Sequence, residues 1–348
     1  MNSPPRLRKS AQSFARRLKL HYARRDQLTI ERRRTGSGYS YHNSAGTEIV
    51  DSQTLNRFAA LAVPPAYDQV YFSPDSHAHL QAVGRDAAGR LQYRYHTDWE
   101  KVREAEKAER LAALASVLPT VRRAVGQHLS GHEPTRNFAL AAAIELVAGS
   151  AIRPGNEEYA KKHGTRGAVT LLKSNVRVSG DMITLVFRAK GGKDVRKEFS
   201  SPRLAAGIAV LRTLAGPRLF QYRDEDGATK HVTARDVNIF LREMAGINVS
   251  LKDFRTLCAS AAVLDNLARM VPAESARKRR KQVLEAVKSA AEELANTPSV
   301  CRRSYVHETV VTAFENGVLE RFSATLKSCR STARREQFLA QVVATASV

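Results

Sequence analysis

A tyrosine follows two arginines in the stretch SVCRRSYVHE, Ser299 to Glu308. A phenol with an ordinary pKa of about 10 is a poor nucleophile at neutral pH. Cations that stabilise a phenolate and a charged, phosphorane-like transition state would make it a good one. Arginine suits that task, because it is always charged and grips phosphate oxygens through two donors. The residues around Tyr305 read as one helix, started by Thr297-Pro298 and stopped by Asn316-Gly317. Val306, Val310 and Phe314 form its apolar stripe. Tyr305 falls off that stripe, in mid-helix, beside Cys301, Arg302, Glu308 and Thr309. A lone helical tyrosine serves equally well as a packing residue.

Three cations elsewhere are candidates to assist it. Arg153, in SAIRPGNEEY, ends a buried helix and precedes Pro154-Gly155. Proline pushes its predecessor out of the helical region, so Arg153 projects from a fixed corner. Arg255, in LKDFRTLCAS, lies near the start of a helix, three residues after Lys252. Lys190, in VFRAKGGKDV, enters a Gly-Gly turn at the tip of a hairpin, from which it can reach into a groove and protonate a leaving alkoxide. Each has an ordinary explanation when taken singly: a helix-terminal arginine, a surface pair, a turn lysine. Asn296, nine residues before Tyr305, adds a polar side chain.

The ordered series Arg153, Lys190, Arg255, Asn296, Tyr305 closely resembles the active site of type IB DNA topoisomerases, in the compact poxvirus-like form found in bacteria. The resemblance runs over nearly the whole chain, through IRPGNEEYAKKHGTRGAVTL, FRAKGG, KDFRT, NTPSVCRRSYVH and GRDAAGRLQYRYH. It implies that Tyr305 is the nucleophile and forms a 3′-phosphotyrosyl link, expelling a 5′-hydroxyl. It implies that Arg153 and Arg255 hold the non-bridging oxygens and that Lys190 is the general acid. Asn296 stands where poxviral and eukaryotic members carry histidine; it can donate a hydrogen bond but carries no charge. Rejoining conserves the phosphodiester energy, so no cofactor, ATP or metal is implied. Gln92, Tyr93 and Tyr95 match a DNA-contacting Q-Y-x-Y strand, and Tyr159 matches a further DNA contact. Alternation places Tyr93 and Tyr95 on one strand face and Gln92 and Arg94 on the other, so the tyrosines equally fit a core.

Two alternatives stand beside this reading. Tyrosine recombinases share the Arg–Lys–Arg–Tyr set, but typically carry His-x-x-Arg where this chain has Lys252-x-x-Arg255, and they begin with a helical domain. A non-catalytic basic DNA-binding protein accounts for the charge but not for the ordered set.

The 348 residues are enough for two domains, and 43% of them are apolar. With 56 Lys+Arg against 34 Asp+Glu the net charge is +22, which favours a polyanion, nucleic acid first, without choosing DNA over RNA; duplex DNA as the partner is what the resemblance implies. The three cysteines Cys258, Cys301 and Cys329 include no CxxC pair, against a zinc site or disulfide framework and in favour of a reducing compartment. No secretory h-region and no membrane-length apolar run is present, so a soluble, intracellular protein is expected; the resemblance implies a cytoplasmic, nucleoid-associated monomer. The run Arg277 to Lys281 reads as a solvated helix face.

The elements that must position these residues follow. The fold class is α+β: a small β-rich domain over 1–97, then a larger, mainly helical catalytic domain over 98–348 with a small antiparallel sheet. The resemblance implies that the catalytic domain has the type IB topoisomerase and tyrosine recombinase fold and that the two domains close as a clamp around duplex DNA. Residues 1–34, with eleven Lys/Arg and two acids, read as a basic arm. SGYSYHN, TEIV and QVYF read as β runs, and HLQAVGRDAAGRLQYRYH as a hairpin. SQTLNRFAALAV reads as a helix ended by Pro64-Pro65, and SGD and KGGK as the turns of the second sheet.

Overall fold

Alternating apolar and polar residues, punctuated by turns, build a sheet from the first hundred residues. The computed structural model describes residues 9–36, 38–328 and 332–345. Cys329 and the first eight residues of the expected basic arm lie outside them. In the amino-terminal part come α1 (Lys9–Arg17), β1 (Ile30–Thr35), β2 (Gly38–His42), α2 (Ser52–Ala60), β3 (Asp68–Phe72), β4 (Leu80–Arg85) and β5 (Leu91–Tyr95). The five strands form one antiparallel sheet in the order β2-β1-β3-β4-β5. Ile30, Phe58, Val70, Phe72 and Ala82 pack between one face of this sheet and α2.

Several expectations need correction here. The segment IERRRT, read as part of a basic arm, is the interior strand β1. Its charge is accommodated because Arg32 donates to the carbonyls of Val63, Pro64 and Tyr67. TEIV forms only an isolated bridge, Glu48 to His42, and no strand. The helix α2 stops at Ala60, before the prolines, where Ala62 takes a left-handed φ of 46°.

A long helix, α3 (Trp99–His128), follows. The chain divides into two compact units between Lys107 and Ala108, inside α3. The sequence reading puts the junction at 97/98; the first turns of α3 belong to the amino-terminal unit because Trp99 and Val102 pack on Ala15 and Leu20.

The second unit continues with α4 (Arg136–Ser150), α5 (Glu157–His163), β6 (Val176–Ser179), β7 (Met182–Arg188), β8 (Asp194–Ser200) and α6 (Pro202–Arg212). A short hairpin, β9 (Gln221–Arg223) and β10 (Thr229–His231), interrupts the helical run expected after Pro202. Then come α7 (Ala234–Ala245), α8 (Leu251–Ala268), α9 (Ala276–Glu293), α10 (Pro298–Ser304), α11 (Glu308–Glu315), α12 (Glu320–Ser328) and α13 (Thr332–Thr345). Strands β6, β7 and β8 form an antiparallel sheet in that order. The core centres on α4 and α8. From Phe138 to Ile144 α4 is buried all round, as its uninterrupted apolar run requires, and α8 buries Leu251, Phe254, Leu257, Val263 and Leu264.

Trp99, the single tryptophan, reports on one titratable contact in the amino-terminal unit. Buried His79 lies 4.4 Å from the Trp99 ring and stacks on Tyr22 at 4.2 Å, while its Nδ1 accepts from the Ala23 amide. Burial pushes its pKa down to about 4. The unfolded chain therefore binds a proton near pH 6.5 that the folded chain refuses until near pH 4. Stability is complete above that upper value and falls by up to roughly 3 kcal/mol as the pH drops through the window. Denaturant unfolding followed by Trp99 fluorescence is expected to show this loss in the wild-type chain and a flatter profile in His79→Gln.

Candidate active site

Among the described residues Arg255 is the most deeply buried charged side chain. Charged groups are rarely buried unless paired, yet Arg255 is 1% exposed, on the inner face of α8. The surface pair with Lys252 admitted by its sequence is thus excluded. Its guanidinium donates to two backbone carbonyls, Ala151 at the end of α4 and Leu294 at the end of α9 (the latter at 3.1 Å). The last carbonyls of a helix lack intrahelical partners and carry the negative end of its dipole. Two helix termini therefore supply the partial charge that a buried guanidinium needs. Ala151 and Ala295, beside these carbonyls, hold left-handed φ values of 53° and 50°. Burial lowers the Arg255 pKa somewhat, but Tyr305 opposes that.

Tyr305 stands over this cation. The Arg255 guanidinium carbon is 4.8 Å from the phenol ring centroid. The tyrosine is only 9% exposed, so the polar mid-helix position expected for it is wrong. The helix breaks there. α10 ends at Ser304, Tyr305 is its C-cap with φ −131°, and His307 N-caps α11, its side chain accepting from the Thr309 amide. The amides of both Tyr305 and Val306 turn back to the Cys301 carbonyl. Neither proline nor glycine lies between Ser299 and Glu308, so nothing local announces the break. The bonds that hold it come from Ser260 of α8, whose hydroxyl donates to the Tyr305 carbonyl and accepts from the His307 amide, each at 3.1 Å.

The electrostatics favour phenolate. Burial alone pushes the Tyr305 pKa up, but Arg255, Arg153 and Lys252 together outweigh it, and the net shift is downward. Cys301, buried one turn earlier, has its thiol pushed up to about 11 by burial and remains a neutral packing group.

Arg153 reaches the cluster from a braced corner. Its carbonyl accepts from the Ala168 amide at 2.8 Å, and the Pro154 carbonyl from Val169 at 2.9 Å. Gly155, with φ 96°, packs against Gly167; a Cβ on Gly167 would lie 2.6 Å from the Arg153 carbonyl oxygen. Only glycine permits that backbone approach. The Arg153 guanidinium donates to the Asn296 side-chain oxygen. Asn296 follows the α9 terminus, where its amide bonds the Ala291 carbonyl. Tyr305, Arg255, Arg153 and Asn296 thus lie together. Two buried donors among them have no partner: Arg255 Nε and Asn296 Nδ2. Beside a phenol and two guanidiniums, these donors suit an acceptor with several oxygens.

The remaining expected residues are placed differently. Lys190 is exposed at the β7–β8 turn, where Gly191 and Gly192 both have positive φ, and its Nζ lies 5.4 Å from the Tyr159 ring centroid. Tyr159, exposed on α5, also meets the ring of His163. In the amino-terminal unit Tyr93 and Tyr95 are exposed on β5, their rings stacked 6.3 Å apart, so the core alternative for them is excluded. Gln92 lies on the opposite strand face, and its amide donates to Asp86 of the hairpin turn. The sequence reading missed Ser260 and the field of Lys252; only the i−3 spacing of Lys252 from Arg255 signalled the latter.

A family model for the catalytic core of eukaryotic DNA topoisomerase I matches residues 96–332, and one for the N-terminal domain of bacterial DNA topoisomerase IB matches residues 38–86. The chain belongs to the type IB DNA topoisomerase family. It is 30% identical to DNA topoisomerase 1B of Acanthamoeba polyphaga mimivirus, over 82% of this chain and 88% of the viral one. It is 25% identical to DNA topoisomerase I of monkeypox virus and to DNA topoisomerase 1B of vaccinia virus (strain Copenhagen), over 70% of this chain and 75% of each relative. Among the described residues no helix is long and apolar enough to cross a membrane.

The cluster makes a titration prediction. With Arg255 replaced by Met, burial acts on the phenol with less opposition, and its pKa should rise. Labelling tyrosine ring carbons for NMR is expected to show Tyr305 titrating below ordinary tyrosine in the wild-type chain and above its wild-type position in Arg255→Met.

Proposed function

We propose that this topoisomerase relaxes supercoiled duplex DNA through Tyr305. The phenol oxygen, having given up its proton to solvent, attacks a backbone phosphorus. A 3′-phosphotyrosyl bond forms, the bond to the 5′-oxygen breaks, and that oxygen leaves as a hydroxyl after taking a proton from Lys190. Arg255 and Arg153 hold the non-bridging oxygens, and Asn296 donates its amide hydrogen to one of them. Attack in reverse by the 5′-hydroxyl restores the strand and frees Tyr305.

The observation that carries this reading is the pair of buried, unpartnered donors, Arg255 Nε and Asn296 Nδ2, beside the Tyr305 phenol. A pentacoordinate phosphorane carries spread negative charge, and fixed donors in a dry site stabilise that charge more than water does. The guanidiniums supply the charge in this scheme, so the reaction runs without a divalent ion or a nucleotide. The position of Lys190 on an exposed Gly-Gly turn suits a proton donor that reaches the leaving oxygen when DNA is bound.

The exposed pair Tyr93 and Tyr95 supplies a DNA-facing surface in the amino-terminal unit, and Tyr159 another in the second unit. Gln92 faces away from the tyrosines and acts by steadying the hairpin through Asp86. The net charge of +22 makes DNA affinity fall steeply with salt. The protein acts as a monomer whose two units close around the duplex, in the cytoplasm on nucleoid DNA.

Two results are expected with supercoiled plasmid in EDTA and no nucleotide. The wild-type chain relaxes it in single-linking steps and leaves an SDS-stable covalent adduct, while Tyr305→Phe does neither yet binds DNA as tightly. Residual nicking by Tyr305→Phe would assign the nucleophile elsewhere. Arg153→Ala and Arg255→Ala should each cut adduct formation by roughly 100- to 1000-fold, as for lost oxyanion donors.

A further inference from the structure

The break at Tyr305 leaves backbone groups that a continuous helix would have satisfied. Tyr305 caps one helix and His307 starts the next, so the chain turns within three residues. One side chain bridges the turn. Ser260 is fully buried on α8, and its hydroxyl donates to the Tyr305 carbonyl and accepts from the His307 amide at 3.1 Å each. Ser260 also lies on the helix that carries Arg255, five residues further on and about 7.5 Å along the axis.

We propose that Ser260 is a positioning residue for the nucleophile: its hydroxyl locks the Tyr305 backbone to the helix bearing Arg255, and so sets the phenol over that guanidinium. α8 is then a ruler with two marks. One is the cation that faces the phenol ring at 4.8 Å, the other the hydroxyl that holds the backbone from which the phenol projects. Without the hydroxyl, the break has no donor for the Tyr305 carbonyl from α8, and the phenol is free to swing relative to Arg255. Misplacement of a reacting group by about 1 Å costs up to roughly 100-fold in rate. Alanine preserves helix formation and nearly the same volume at this site, so packing is disturbed little.

The inference rests on Tyr305 as the nucleophile. It is tested with Ser260→Ala, measuring adduct formation on plasmid DNA with enzyme in excess, DNA affinity and thermal melting, from pH 6 to pH 10. The charged groups that act on the phenol are Arg255, Arg153 and Lys252. A phenol moved off them ionises less readily, so its rate deficit should shrink as the pH rises. Expected is a fall of roughly 10- to 100-fold at neutral pH, unchanged DNA affinity, and a pH–rate curve displaced to higher pH. A rate equal to wild type, or a deficit equal at every pH, overturns the positioning role. Should the alanine chain fail to fold, Ser260→Cys, which keeps the volume and only a weak donor, is read the same way. Wild-type rates in Ser260→Ala together with an inert Tyr305→Phe remove this inference alone; an active Tyr305→Phe removes both.

Discussion

A guanidinium buried between two helix ends organises the catalytic unit. Taking a charge out of water is costly, and an isolated buried arginine would unfold its surroundings or stay outside. Arg255 is held inside because the C-terminal carbonyls of α4 and α9 converge on it. Each terminus also passes directly into a site residue. Ala151 leads within two residues to Arg153, and Leu294 leads within two to Asn296. The bonds that stabilise the buried cation thereby bring the second arginine and the asparagine beside it. The two left-handed alanines at these termini are the local strain that this convergence requires.

Tyr305, the proposed nucleophile, is held by the same helix in a second way. α8 presents Arg255 to the Tyr305 ring and Ser260 to its backbone. Lys252, one turn earlier, adds positive field. Most of α8 is buried and close-packed, so the groups on it keep their spacing. The contrast with Lys190 is instructive. As the proposed general acid, Lys190 would have to approach a leaving oxygen that is absent until DNA binds, and it sits on an exposed hairpin turn rather than on the buried scaffold.

Much of this architecture is legible from residue types. Pro154-Gly155 marks the Arg153 corner, the Lys190-Gly191-Gly192-Lys193 turn lies between β7 and β8, and Asp86 to Gly89 bends the β4–β5 hairpin. These are local signals, carried by residues with restricted or unusual φ. What the sequence hides is set by tertiary contacts. Nothing between Ser299 and Glu308 forbids a continuous helix; the break at Tyr305 exists because Ser260, 45 residues earlier, satisfies the groups it exposes. Periodicity places Arg255 on α8 but not inside the core, since its carbonyl partners lie 104 and 39 residues away. Strand β1 is masked by its three arginines, one of which is absorbed by backbone carbonyls of the loop between α2 and β3. Alternation separates Gln92 from Tyr93 and Tyr95 but does not say which face meets solvent; Asp86 and the exposed tyrosine pair decide it.

The central claim is that Arg255 and Asn296 hold open donors for one DNA phosphate beside the Tyr305 phenol. A crystal structure of the Tyr305→Phe chain bound to duplex DNA tests it directly. The account predicts one backbone phosphate with non-bridging oxygens within about 3 Å of Arg255 Nε and Asn296 Nδ2, its phosphorus facing the edge of the substituted ring where the missing hydroxyl would attack. A bound duplex whose nearest phosphate leaves both donors unpaired would contradict it.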